Sequence, residues 1–230
     1  MCNILNNIRL IIAAAAIALS GSVAAQQLIP MPREMKADTS HRIHLRQVDA
    51  QVNPRLQLPD EGYTLVVSGS KAILRARTPQ GLVWAKATLR QLEGSDGSYP
   101  KVTIRDWPAF PIRGFMHDTG RNFRPVDMLK KELDLFSQYK INFFHWHLTD
   151  NPAWRIECKA YPQLNDPKYQ YKGRDEGKYY TYDEIREVIA YARERGITIL
   201  PEIDMPGHSR FFNDTFGFGM ASPEGMKVLK

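Results

Sequence analysis

Cysteine is nearly absent from this chain of 230 residues: Cys2 and Cys158 are the only two. If the leading segment is removed on export, Cys158 stands alone, which excludes an internal disulfide and leaves it to be read as a small hydrophobe. Runs of like charge are also missing. The formal charge of +6 comes from basic residues interleaved with acidic ones, so a nucleic-acid surface is not expected. Long hydrophobic runs are missing too. The longest, Leu10 to Leu19, is too short for a membrane span, which needs about 20 residues, so stable membrane insertion is not expected. What remains is ordinary: 43% hydrophobic, 24% charged and 10% aromatic residues, a composition that argues against a disordered or fibrous chain.

The first 25 residues differ from the rest. Arg9 is their only charge, the apolar stretch follows it, and Val23, Ala24 and Ala25 precede Gln26. A basic start, a short apolar centre and small residues at the end predict a secretory signal peptide cut after Ala25. Export to the periplasm, the cell surface or the medium is the expectation. Cys2 leaves with this segment.

Residues 26–108 read as a small α+β domain. Tyr63-Thr-Leu-Val-Val and Ala72-Ile-Leu-Arg-Ala are rich in β-formers and flank Ser68-Gly69-Ser70. Leu82, Ala85, Leu89 and Leu92 approximate one helical face, and the Gly- and Ser-rich stretch after Glu93 ends it. Lys101 to Arg105 predicts a closing strand.

Residues 109–230 follow a strand–helix–strand grammar. Strands are expected at Ile112–Asp118, Ile141–Leu148 and Ile197–Met205. Pro125 suits a first helical turn, with Met128, Leu129, Leu133 and Phe136 as the apolar face. Thr181 and Glu184 form a capping box for a second helix, whose Ile185, Val188, Ile189 and Ala192 share a face and which Gly196 stops. Strands separated by helices predict a parallel sheet with its chemistry at the strand C-termini. Three such units fall short of a closed (β/α)8 barrel, which needs about 250 residues. An incomplete barrel with an open sheet edge is the expected architecture. The run after Ser222 looks like a helix beginning.

All three strands end in polar residues: Arg113-Gly-Phe-Met-His-Asp-Thr-Gly-Arg121, Asn142-Phe-Phe-His-Trp-His-Leu-Thr-Asp150, and Leu200-Pro-Glu-Ile-Asp204-Met-Pro-Gly-His208. Alternation puts His145 and His147 on one face and Glu202 and Asp204 on another. Ionisable groups in a strand buried on both sides must be paired, which marks a functional site.

In these three segments, between about Trp107 and His208, the sequence resembles glycoside hydrolase family 20, the β-N-acetylhexosaminidases. The segment with Gly81 and Thr88-Leu89-Arg-Gln-Leu92 resembles the accessory domain that precedes such barrels. The resemblance implies an exo-acting hydrolase of terminal β-linked N-acetylhexosamine, with a carbohydrate substrate, no cofactor and no metal. It assigns Arg121 to the outer hydroxyls of the sugar. Asp150 and His208 become a buried polar chain reaching the catalytic acid, with Asp204 nearby. His145 and His147 are expected to pack within the barrel. Trp154 suits either sugar stacking or loop packing, His117 receives no role, and Asn151 departs from the second of two adjacent aspartates.

Family members work by substrate assistance, an exception to the two-carboxylate scheme. The substrate's acetamido oxygen attacks the anomeric carbon, while an Asp-Glu pair after the fourth strand orients the acetamide and protonates the leaving oxygen. No fourth strand is read here, so the catalytic pair is expected to be missing and the chain to be an inactive fragment. Asp60-Glu61, Asp175-Glu176 and Asp183-Glu184 lie in loops or at a helix start. Two rivals stand beside this reading: a metal-dependent barrel hydrolase using His145, His147 and His208, and a noncatalytic sugar-binding remnant.

Overall fold

The computed structural model describes residues 28–230; the signal peptide expected at residues 1–25 lies outside them. The chain divides into two compact units between Ala109 and Phe110. Among the described residues no helix is long and apolar enough to cross a membrane.

The first unit is a five-stranded sheet with one helix against it. Its elements are β1 (Glu34–His44), β2 (Gln47–Val52), β3 (Tyr63–Ser68), β4 (Lys71–Ala76), α1 (Pro79–Leu92) and β5 (Ser98–Asp106), in the order β1-β5-β3-β4-β2. Only β2 and β4 pair in parallel in this sheet. Period-two alternation turns Leu65, Val67, Ala72, Leu74, Val102 and Ile104 to one face, where they pack with Trp84, Ala85, Leu89 and Leu92 of α1. Thr78 caps α1 by accepting from the Gly81 amide. Gly81 must be glycine for another reason: a Cβ there would meet the Gly62 carbonyl oxygen at 2.9 Å. Strands β1 and β2 escape the sequence reading. Both are edges, and β1 carries Lys36, Asp38 and Arg42 with most residues exposed, so no apolar alternation announces it. Charge on an edge strand guards it against pairing with another chain.

The second unit holds β6 (Gly114–Asp118), α2 (Val126–Gln138), β7 (Phe143–His147), the short pair β8 (Thr149–Asp150) and β9 (Ala153–Trp154), α3 (Tyr182–Glu194), β10 (Thr198–Glu202), α4 (Arg210–Phe216) and α5 (Pro223–Val228). Strands β10-β7-β6 form a three-stranded parallel sheet. Phe144 and Trp146 bury themselves against Leu129, Leu133 and Phe136 of α2 and Val188 and Ala192 of α3. The Thr181–Glu184 capping box forms at the start of α3, and Gly196 takes φ 71° just past its end. Pro201 sits in β10, which among the described residues lies at the edge of the sheet.

Several expectations need correction. The second and third strands are shorter than expected at both ends and the first only at its start, ending at Asp118 as expected, because apolar flanks such as Ile112, Ile141 and Ile203 continue past the hydrogen-bonded ladder. Pro125 is the N-cap residue of α2, outside its first turn. Met128 is exposed; Ser137 is buried in α2 alongside Leu129, Leu133 and Phe136. Helix α4 was not predicted, since its seven residues show no helical period.

Helices α2 and α3 pack on one face of the parallel sheet, and among the described residues no helix shares the core on the opposite face. Register places Met116, His145 and Leu200 in one row and Asp118, His147 and Glu202 in the next, toward the strand C-termini. Met116 and Leu200 are half exposed, although parallel sheets are ordinarily covered on both faces.

Candidate functional site

The polar row at the strand ends is held together by one imidazole. His147 is buried, with Nδ1 2.9 Å from Glu202 Oε2, and Nε2 3.2 Å from Asp150 Oδ2 and 4.0 Å from Asp118 Oδ1. Burial pushes its pKa down, but the hydrogen bond to Glu202, the charges of Asp118 and Glu202 and the hydrogen bond to Asp150 outweigh this and lift it above the ordinary value. A protonated ring donates from both nitrogens, which suits carboxylates on both sides. His145 Nε2 reaches the same Glu202 oxygen at 2.5 Å. Glu202 therefore faces the histidines' side of the sheet, not a separate face. Parallel neighbours in register point alike, and the expectation overlooked that rule.

Arg121 follows a tight turn off β6. The Thr119 and Gly120 amides donate to the His147 carbonyl at 3.0 and 3.1 Å, fixing the turn against β7. The Arg121 amide donates to Asp118 Oδ1, and its Nη1 to Asp118 Oδ2 at 2.6 Å. Nη2 lies 2.8 Å from Asp150 Oδ2. The Asp118 hydrogen bond, opposed by partial burial, raises the guanidinium pKa further. Asp150 is fully buried; its Oδ1 accepts from the Asn151 amide and its Oδ2 is shared between His147 and Arg121. A buried carboxylate needs such compensation.

His208 stands at the rim with φ 47°, a left-handed backbone that costs a non-glycine residue about 1–3 kcal/mol. Its Nδ1 pairs with Asp204 Oδ2 at 2.6 Å and stays 3.8 Å from Asp150 Oδ2. The expected buried Asp150–His208 chain is corrected here: the side chain is 51% exposed and its hydrogen bond goes to Asp204. The Asp204 amide donates to Thr149 Oγ1, holding the pair near β8.

The remaining predicted residues are easily placed. Trp154 packs on Phe211 at 5.7 Å beside an apolar cluster with Leu164, Phe212 and Met220. Asn151 accepts from the Arg210 amide at the start of α4. His117 turns to the helix side of the sheet and pairs with Glu132 at 2.8 Å. Cys158 is half-buried beside the same cluster as Trp154. Asp118 and Glu202 went unassigned in the sequence, yet each touches a site residue directly. Asp118 was detectable as the acid three residues before Arg121.

Sets of ligand atoms within 4.8 Å of one another occur at Asp118/His147/Asp150, His147/Glu202/Asp204 and Asp150/Asp204/His208. Each holds a single imidazole, and among the described residues no set combines two of His145, His147 and His208, as the zinc reading requires. In the first set Arg121 already lies on both carboxylates, supplying the positive charge a cation would bring.

Comparison with known proteins agrees with this geometry. The model of the glycosyl hydrolase family 20 catalytic domain matches residues 110–220, and that of domain 2 of the same family matches residues 12–107. The chain belongs to glycoside hydrolase family 20. It is 45% identical over 186 residues to a β-hexosaminidase of Vibrio furnissii, covering 74% of this chain and 30% of that relative. A β-hexosaminidase of Porphyromonas gingivalis is 35% identical, with 81% of this chain and 27% of the relative covered. Among solved family 20 structures, the exo β-N-acetylglucosaminidase of Vibrio harveyi in complex with N-acetylglucosamine superposes with TM-score 0.75 at 32% identity, covering 84% of this chain and 38% of that one. The β-N-acetylhexosaminidase of Bacteroides fragilis gives TM-score 0.78 at 29% identity, with 88% and 53% covered. The chain thus spans about 30% of the length of these curated relatives.

Proposed function

We propose that this chain is the sugar-holding part of an exo-acting glycoside hydrolase that removes terminal β-linked N-acetylhexosamine by substrate-assisted, retaining hydrolysis. The observation that carries the reading is Arg121: two of its donors are anchored on Asp118 and Asp150, while its side chain remains 45% exposed. A rigid fork held this way offers its other donors to adjacent hydroxyls of a sugar ring. The bound N-acetylglucosamine of the Vibrio harveyi structure supports that ligand class.

The chemistry needs an acetamido oxygen to attack the anomeric carbon and an acid to protonate the leaving oxygen. Asp150, Asp204 and His208 supply a charged framework beside Arg121, suited to tuning a neighbouring carboxylic acid. The acid pair itself is assigned to a strand outside residues 1–230. Asp60-Glu61 lies in a turn of the first unit, Asp175-Glu176 in a loop, and Asp183-Glu184 in the first turn of α3. On this proposal the parallel sheet forms the first three units of a (β/α)8 barrel, and the uncovered face of Met116, His145 and Leu200 is the barrel interior. Residues 26–108 serve as the accessory domain, and residues 1–25 direct export. Mass spectrometry of exported protein beginning at Gln26 supports the last point; an intact Met1 defeats it. The enzymatic reading is tested by assaying a protein of the relatives' length on an aryl β-N-acetylglucosaminide. Release of the aryl group with retained anomeric configuration is expected. Sugar binding without turnover would instead favour the noncatalytic reading.

A further inference from the structure

Arg155 is a fully buried guanidinium, whose burial lowers its pKa against the more distant charges of Asp175, Asp118 and Glu176. Its hydrogen bonds go to four backbone carbonyls. Nη1 donates to Asp175 and Lys178, both at 2.8 Å, Nη2 to Arg174 at 2.6 Å, and Nε to Gly120 at 3.4 Å. Three acceptors belong to the loop between β9 and α3. The fourth is the residue immediately before Arg121.

A buried cation costs several kcal/mol unless well satisfied. Three short bonds tie Arg155 to the 174–178 loop, and the fourth, at 3.4 Å, joins that loop to the turn of Arg121. Gly120 is pressed against Thr149 and Asp150: a Cβ would meet the Asp150 amide nitrogen at 2.9 Å. Tyr180, joined to Arg155 by a 2.8 Å backbone hydrogen bond, donates from its hydroxyl to the Arg124 carbonyl at 2.7 Å. Phe123 stacks on Tyr180 at 4.6 Å. The 119–124 segment is therefore clamped from below by neighbouring residues of a different loop.

We propose that Arg155 is a positioning residue for Arg121, tying the Gly120 carbonyl to the 174–178 loop so that the exposed fork keeps the orientation in which it meets the sugar. The inference rests on the sugar-binding reading of Arg121. A lysine at 155 keeps the charge but presents one ammonium, which cannot span carbonyls on two sides of a planar fork.

The test uses Arg155→Lys and Arg155→Met in the complete protein, with two readouts. Hydrogen–deuterium exchange compares residues 118–124 with β7, and needs no substrate. We expect roughly tenfold faster exchange in 118–124 with β7 unchanged. Steady-state kinetics should show KM for an aryl N-acetylglucosaminide rising roughly tenfold with kcat within about threefold, and on an Arg121→Lys background the same change should alter kcat/KM less than about twofold. Losses that multiply in the double variant overturn the proposal, as does exchange that rises equally in both segments or in neither. Failure of both variants to fold overturns it as well, by making Arg155 a general stabiliser. A wild-type protein without activity would sink the enzymatic reading alone, and the exchange comparison would still decide the role of Arg155.

Discussion

The half-exposed guanidinium of Arg121 rests on the fully buried carboxylate of Asp150, Nη2 to Oδ2 at 2.8 Å. The arrangement joins a solvent-facing group to a charge that cannot reach water. If Arg121 holds the sugar as proposed, truncating it removes those contacts and also strips a partner from Asp118 and Asp150. Arg121→Ala should therefore cost about 2–4 kcal/mol in transition-state binding, a fall in kcat/KM of roughly 30- to 1000-fold. Kinetics on an aryl N-acetylglucosaminide measure it. A loss under threefold would remove Arg121 from the site.

Gly120 supplies a stability prediction at the same place. An added Cβ meets the Asp150 nitrogen at 2.9 Å, and Asp150 Cβ and the Thr149 carbonyl carbon at 3.0 Å. Two of those atoms are backbone, so relief requires moving β8 or the turn. Gly120→Ala should cost about 1–3 kcal/mol, the range for overpacking, and lower the thermal midpoint of the second unit. An unchanged midpoint would show that the turn gives way freely.

His147 makes stability depend on pH. Its pKa in the folded protein is raised above the free value of 6.5, so the folded state holds that proton more tightly than the unfolded chain. The stabilisation is complete below about pH 6.5 and is lost as pH rises through the raised value. Denaturant midpoints measured across neutral and mildly alkaline pH should fall for the wild type and flatten for His147→Gln. Parallel curves for the two proteins would count against the imidazolium.

Much of this was legible in the sequence, for reasons that differ by element. Helix α3 announced itself through the Thr181–Glu184 box and the spacing of Val188 and Ala192, both local signals. The three parallel strands were visible through their apolar residues, such as Phe144, Trp146 and Ile199, although only those of β7 are buried. The polar strand ends stood out against that background, which brought Arg121, Asp150, Asp204 and His208 forward. Pairing was harder to see. That Glu202 serves both His145 and His147 depends on the register of β10 against β7, and no single strand encodes it. Arg155 was invisible for a similar reason: its partners are carbonyl oxygens of residues 19 to 35 positions away, which leave no trace in side-chain type. Strand β1 was missed because an exposed edge needs no pattern.

The last prediction separates the enzymatic reading from its metal rival. If the acetamide is the nucleophile, a protein of the relatives' length should cleave an aryl β-N-acetylglucosaminide and leave the matching glucoside untouched, since a glucoside has nothing to place at the attacking position. Activity should survive a chelator. His208→Ala should lower kcat more than it raises KM, because the imidazole, paired with Asp204 at 2.6 Å and 3.8 Å from Asp150, acts through the charge around the acid and not through the sugar's outer hydroxyls. Arg121→Ala in the same assay should raise KM as well, so the two variants should divide differently between the constants. Equal rates on both sugars, or loss to the chelator with rescue by zinc, would overturn the substrate-assisted mechanism and return His147 and His208 to consideration as metal ligands.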